Sequence, residues 1–227
     1  MKKNIQIYLF ILICVLFHSN SFANGDIKNT ETVTDIDGNV YHTVAIGTQV
    51  WMVENLKTTK YRDGTAIPNV TENMAWRDLT TGAYCNFKND TSKVNAYGCL
   101  YNWYAVSNTL KIAPAGWHVP TIAEWNTLVK YLSGKDHAGS KLKETGTTHW
   151  LGPNDDATNS SGFSALPGGY RYLDGSHYIG SYGYWWSSTE FSATNAWNMN
   201  MYYDKGIAGN FNYRKNYGFS VRCLKDK

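Results

Sequence analysis

The stretch Gly116-Trp117-His118-Val119-Pro120-Thr121-Ile122-Ala123-Glu124-Trp125 constrains this chain more than any other, because an extended run meets a helix there with every start signal in place. Pro120 ends the extended part, Thr121 is a capping residue, and Glu124 stands three positions later, where a capping box needs it. Beyond the cap, Trp125, Leu128, Val129 and Leu132 fall at i, i+3, i+4 and i+7, which predicts a helix over residues 121–132 with one buried face. Gly134 supplies the stop. Such a cap contributes about 1 kcal/mol; it places the helix and leaves the chemistry open.

Around this helix the chain reads as short strands and turns. Residues 40–46 and 49–56 are β-prone runs joined by Gly47-Thr48, a hairpin. Residues 97–106 put Leu100, Trp103, Tyr104 and Ser107 at helical spacing, and residues 140–144 make one more helical turn before Gly146. From Thr147 onward Gly, Asn, Ser and aromatic residues dominate, as in loops and short strands. Residues 170–173 and 177–179 flank Asp174-Gly175, a second hairpin, and residues 184–188 read as a buried strand. Trp197-Asn198-Met199-Asn200-Met201 alternates strictly, the pattern of a half-buried strand, and residues 217–224 form the last one. With no internal repeat, the expectation is a single loop-rich α+β domain over residues 33–227, after a lead-in at residues 24–32.

Residues 1–23 carry Lys2 and Lys3, an apolar run from Ile5 to Phe17 interrupted only by Gln6, and a close on Ser21-Phe22-Ala23. That is the pattern of a secretory signal peptide, with cleavage expected after Ala23 and export as secreted or cell-surface protein. The run is too short to span a bilayer, so no transmembrane segment is expected in the mature chain. Removing two lysines and no acids takes the formal charge from +3 to +1, which leaves no electrostatic footprint for nucleic acid or an anionic membrane. Aromatic residues make up 15% and include nine tryptophans, so large rings are expected to anchor the loops. Cys14 departs with the signal, and Cys85, Cys99 and Cys223 then allow one bridge in any of three pairings.

Candidate chemistry is sparse. Asn154, Asp155, Asp156 and Asn159 offer oxygen ligands for calcium, the only cofactor the sequence raises, without a fixed-spacing signature; a solvated turn is the competing reading. His42, His118, His137, His149 and His177 show no metal-pair or triad spacing and read as structural or surface residues. No carboxylate pair or serine elbow is recognisable. Tyr182, Tyr184, Trp185, Trp186 and Trp197 are the sharper feature: such rings stack on sugar faces, although in an aromatic-rich chain rings also build the core.

Six ordered motifs carry a resemblance: Trp51-Met52-Val53-Glu54-Asn55-Leu56, Leu100-Tyr101-Asn102-Trp103-Tyr104-Ala105, Gly116-Trp117-His118-Val119-Pro120-Thr121, the run from Gly162 to Arg171, Trp185-Trp186-Ser187-Ser188-Thr189-Glu190 and Gly218-Phe219-Ser220-Val221-Arg222-Cys223. Together they resemble the Fibrobacter succinogenes major paralogous domain, a family of secreted or surface-associated proteins. Val119-Pro120-Thr121-Ile122-Ala123-Glu124-Trp125 is also similar to the helix start of the formylglycine-generating sulfatase-modifying factors. That resemblance implies an elaborated C-type-lectin-like fold. Those enzymes use copper and two closely spaced cysteines near the C-terminus, where this chain has Cys223 alone. The family pattern further implies a Cys85–Cys223 bridge with Cys99 as the spare thiol; on the chain-entropy account a long loop closed in this way contributes roughly 3 to 5 kcal/mol. The function implied is a non-catalytic binding or adhesion module for a glycan or a surface protein. A divergent enzyme of the same fold and a purely structural surface protein are its rivals.

Overall fold

A computed structural model describes residues 31–154 and 156–227; the expected signal peptide with its expected cleavage site, residues 24–30 of the lead-in, and Asp155 lie outside the described residues. The chain begins with a meander of β1 (Thr32–Thr34), β2 (Val40–Ile46) and β3 (Gln49–Met52), and the expected hairpin turns at Gly47-Thr48. Short elements follow: α1 (Asn73–Arg77), β4 (Tyr84–Cys85), α2 (Val94–Tyr97), β5 (Leu100–Tyr101) and α3 (Trp103–Val106).

The helix predicted over residues 97–106 is therefore broken into a helix end, a strand and a new helix. Gly98 adopts φ 72°, and a Cβ there would lie 2.7 Å from the Leu56 carbonyl oxygen, so only glycine lets the chain pass. Asn102 restarts the helix by accepting a hydrogen bond from Ala105 N at 3.0 Å.

After β6 (Trp117–His118) comes α4 (Ile122–Tyr131), and its start is the one the sequence announces. Glu124 N donates to Thr121 Oγ1 at 3.3 Å, while Thr121 N donates to Glu124 Oε2 at 2.8 Å, a complete capping box. Trp125, Leu128, Val129 and Leu132 are all buried. The single turn expected near residues 140–144 is a longer helix, α5 (Lys135–Leu142). The last third is β7 (Tyr170–Tyr172), β8 (Gly175–His177), β9 (Tyr182–Glu190), β10 (Asn195–Tyr202), β11 (Ala208–Arg214) and β12 (Leu224–Lys225).

These elements make a mixed helix-and-strand fold with one curled antiparallel sheet and several small ones. The five-stranded sheet runs β1-β2-β3-β12-β6, and a three-stranded sheet runs β11-β10-β9. Residues 218–223, expected as part of a regular strand, instead form a spine between sheets. Phe219 exchanges backbone hydrogen bonds with Tyr101, Trp186 N donates to Ser220 O, and Met52 N donates to Cys223 O. Arg222, fully buried on this spine, donates to Asn55 Oδ1 and to the Phe163 carbonyl and lies over the Phe163 ring.

Eight of the nine tryptophans are buried, Trp197 being the half-exposed one, and five indole N–H groups donate to acceptors elsewhere in the chain. Trp185, for example, donates to Asn55 Oδ1 at 2.8 Å across 130 positions of sequence. Rings with a polar handle thus fasten loops that regular structure does not. Among the described residues no helix is long and apolar enough to cross a membrane.

The Cys85–Cys223 bridge is not formed: Cys85, Cys99 and Cys223 are free and buried. Cys85 packs with Trp76, Ala83 and Leu100, whereas Cys223 belongs with Cys99 to the cluster of Tyr41, Met52 and Val221. The two sulfurs serve separate parts of the core. Burial pushes the Cys85 thiol up to about 11 and Cys99 up to about 12, and raises Cys223 as well. Burial thus favours the protonated thiol over the thiolate at all three positions.

Candidate functional site

The antiparallel register of β9, β10 and β11 puts cross-strand partners on the same face. Trp186 pairs with Asn198 and Asn198 with Phe211; Tyr184 pairs with Asn200 and Asn200 with Gly209; Tyr182 pairs with Tyr202. One face of this sheet is therefore a floor of tyrosine, tryptophan and asparagine. The β7–β8 hairpin, which turns at Leu173-Asp174, one residue before the expected Asp174-Gly175, lies against its edge through the Gly169 N hydrogen bond to Tyr182 O at 2.8 Å. That contact delivers Tyr170, whose ring centroid lies 5.4 Å from Tyr184 and 5.9 Å from Tyr217.

The rings continue without a gap. Tyr172 and Tyr217 lie 4.4 Å apart, Tyr213 and Tyr217 5.2 Å, Tyr178 and Tyr182 5.1 Å, and Tyr182 and Tyr202 5.3 Å. Tyr184 stacks on Phe219 at 4.9 Å and 15°, which ties the cluster to the spine. Tyr178 is 53% exposed and Tyr184 6%, with the other tyrosines between, so the cluster has a buried base and an open rim. Burial raises the phenols of Tyr170, Tyr184, Tyr202 and Tyr217 above their ordinary value, and neighbouring phenols raise them further. These hydroxyls are neutral donors and acceptors at physiological pH.

The alternation in residues 197–201 does produce a strand, but neither of its faces is solvated in the way a half-buried strand implies. Asn198 and Asn200 are as buried as Met199 and Met201. Asn200 Nδ2 donates to the Tyr202 hydroxyl at 3.1 Å, while Asn200 Oδ1 and both polar atoms of Asn198 have no partner among the described residues. A Cβ on Gly209 would meet Phe211 at 3.0 Å and Asn200 Oδ1 at 3.3 Å, so glycine keeps that carboxamide uncrowded.

The five aromatic residues singled out in the sequence are not one platform. Tyr182 and Tyr184 join the cluster, while Trp186 lies fully buried beneath it. Trp185 points to the opposite, sealed face, and Trp197, also on that side of β10, packs edge-on against Phe191 at 5.0 Å. Tyr170, Tyr172, Tyr178, Tyr202, Tyr213 and Tyr217 were missed. Their signal was compositional: nine of the seventeen tyrosines fall within residues 170–217.

Of the calcium candidates, Asp155 lies outside the described residues, and the other three are engaged elsewhere. Asp156 accepts from the buried Lys143 ammonium at 3.1 Å and from Ser140 Oγ at 3.0 Å, so a cation already occupies its charge. Asn159 clamps Ser164 through both ends of its amide, and Asn154 Nδ2 holds the Glu144 and Gly146 carbonyls. Four histidines are clamped by acids: His42 by Glu54, His118 by Asp226 and Glu124, His149 by Glu144 and His177 by Asp174. Among the described residues no group of three His, Cys, Asp or Glu side chains is arranged to hold a metal ion.

Comparison with known families matches residues 44–225 to the Fibrobacter succinogenes major domain. No curated protein and no solved structure matches the chain.

Proposed function

The chain belongs to the Fibrobacter succinogenes major domain family, and from that premise we propose that it is a secreted or cell-surface binding module whose tyrosine face recognises a carbohydrate. The observation that carries this reading is the continuous tyrosine cluster, open at Tyr178 and closed underneath by the fully buried Asn198 and Asn200. A tyrosine ring offers an apolar face to the C–H side of a sugar and a neutral hydroxyl to its rim. The C-type-lectin-like architecture is part of the same proposal, supported by the Val119-Pro120-Thr121 helix start and the terminal spine. Export rests on the charged start, apolar run and small residue of residues 1–23. The module is read as non-catalytic because its thiols are buried and protonated and its paired histidines are held by carboxylates.

A glycan array followed by calorimetry tests it. We expect binding to a neutral polysaccharide that Tyr178→Ala and Tyr182→Ala each weaken about tenfold, the loss of ~1.4 kcal/mol typical of an anchoring ring. A uniformly blank array would remove the glycan reading, and a retained Met1 in the mass of the exported protein would remove the signal peptide.

A further inference from the structure

A second site lies away from the tyrosine face. A cavity of about 230 Å³ is lined by Arg62, Val106, Lys111, Trp117, His118 and Ser188 among others, and a neighbouring one of about 200 Å³ shares Arg62, Ile112 and Ala113 with it. Arg62 is the wall between them. Its Nε donates to Ala113 O at 3.0 Å, and its Nη2 donates to Pro114 O and Trp117 O, both at 2.7 Å. Three carbonyls therefore fix the plane of the guanidinium. They neutralise none of its charge: Arg62 forms no ion pair among the described residues, and its Nη1 has no hydrogen-bond partner there. A guanidinium held rigidly on a cavity wall is a preorganised anion receptor, since its ordering is complete before any ligand arrives.

Lys111 supplies a second cation from a costly backbone. It sits at φ 59°, in the left-handed region that favours glycine. Its carbonyl accepts from Arg62 N at 2.8 Å, so the strained residue and the arginine are joined. The side chain is exposed and makes no ion pair among the described residues.

The acids at the two cavities are already engaged. Asp226 lies 2.6 Å from His118 Nδ1, and Asp35 accepts from Asp37 N, Asn39 N, Asn39 Nδ2 and the Tyr41 hydroxyl. Val106, Ile112, Ala113 and Trp117 give the walls a buried apolar part, while Ser188 and Thr34 are polar and Ile36 is exposed at the edge.

We propose that this paired cavity binds a small organic carboxylate, with the acid group on Arg62 and Lys111 and a compact apolar-faced body against Ile112 and Trp117. Two sources present that chemistry: a uronic acid unit of a polysaccharide, and the free carboxylate that ends a peptide. The site stands apart from the tyrosine face and does not depend on it.

Calorimetric titration of the purified full chain with glucuronate, with glucose as its uncharged counterpart, and with N-acetyl-alanine tests the proposal. Glucuronate alone binding assigns the site to acidic glycan, N-acetyl-alanine alone to a chain end, and both to carboxylates generally. In each case Lys111→Glu is expected to weaken the carboxylate about tenfold or more, with an unchanged unfolding midpoint, and Tyr178→Ala is expected to leave it untouched. Neither carboxylate binding, glucose binding as well as glucuronate, or Lys111→Glu leaving the affinity unchanged would overturn it.

Discussion

The two faces of the β9–β10–β11 sheet come from one alternating sequence and are finished in opposite ways. Trp185, Met199, Met201 and Ala208 face a cluster closed by Trp125, Leu128 and Leu142 from α4 and α5, with Phe163 among the rings. Tyr184, Trp186, Asn198 and Asn200 face the other way, where the covering material is itself tyrosine and thins out toward Tyr178. Fractional burial does not separate the two, since Asn198 and Met199 are equally hidden. Satisfaction does. Methionine loses nothing when water leaves, whereas a carboxamide without partners costs about 1–3 kcal/mol. The sealed face is built for stability, and the tyrosine face retains hydrogen-bonding capacity at stability's expense.

The largest test of that contrast is Trp185→Ala. It removes a fully buried ring and the indole donor to Asn55, and a loss of ~3–5 kcal/mol is expected in urea denaturation. A loss below about 1 kcal/mol would show that the sealed face is not the anchor.

High pH probes the other face together with the core. The folded values of Tyr41 and Tyr184 lie above the ordinary 10.0, and Cys85 and Cys99 rise from 9.0 to about 11 and about 12. A raised folded value means that the native state holds protons the unfolded chain has released. Stability is therefore complete below the unfolded values and falls as pH climbs through 9 and 10 toward the folded ones. For the well-buried Tyr41 and Cys99 the slope is on the order of 1 kcal/mol per group per pH unit. Denaturation midpoints that stay level from neutral pH to pH 11 would contradict it.

Asn198→Leu is expected to act in the reverse direction to the tryptophan change. Replacing an unpartnered, fully buried carboxamide by an apolar group of similar size should raise stability by about 1–2 kcal/mol and leave sugar binding at the open rim unchanged. Destabilisation would show that the Asn198 amide is satisfied in the folded protein. The smallest effect belongs to Thr121→Ala, about 1 kcal/mol from the lost cap, with both faces otherwise intact. Loss of sugar binding in that variant would show that α4 communicates with the tyrosine face.

Local features of this molecule were legible in its sequence. Thr121 and Glu124 are three residues apart and need only each other, and the turn at Gly47 is decided by its own backbone requirement, while the second hairpin turns one residue earlier than its Asp-Gly pair suggested. The broken helix at residues 97–106 was not legible. Leu100 and Tyr101 are drawn into a strand by Tyr84 and by Phe219, and Phe219 lies more than a hundred positions away. The tyrosine face was visible only in part, because Tyr182 and Tyr184 advertise themselves beside two tryptophans while Tyr170, Tyr213 and Tyr217 reach the cluster through a hairpin, an edge strand and a turn. Pairing of cysteines was inferred from family pattern, and packing into separate clusters decided otherwise. Arg62 and Lys111 carried no motif at all: their partnership is made by a loop crossing from Arg62 N to Lys111 O.

The place of β12, between β3 and β6 in the five-stranded sheet, sets an order of events in the making of the protein. Strands β1 to β3 can form their meander early, but Trp51 and His118 gain their shared neighbour Leu224 only after the more than one hundred residues between His118 and Leu224 have been made. Until then the spine that fastens Tyr101, Trp186 and Met52 is also missing. The sheet and the spine therefore cannot close before Leu224 has been made, so β3 and β6 must both wait for a strand that comes after them.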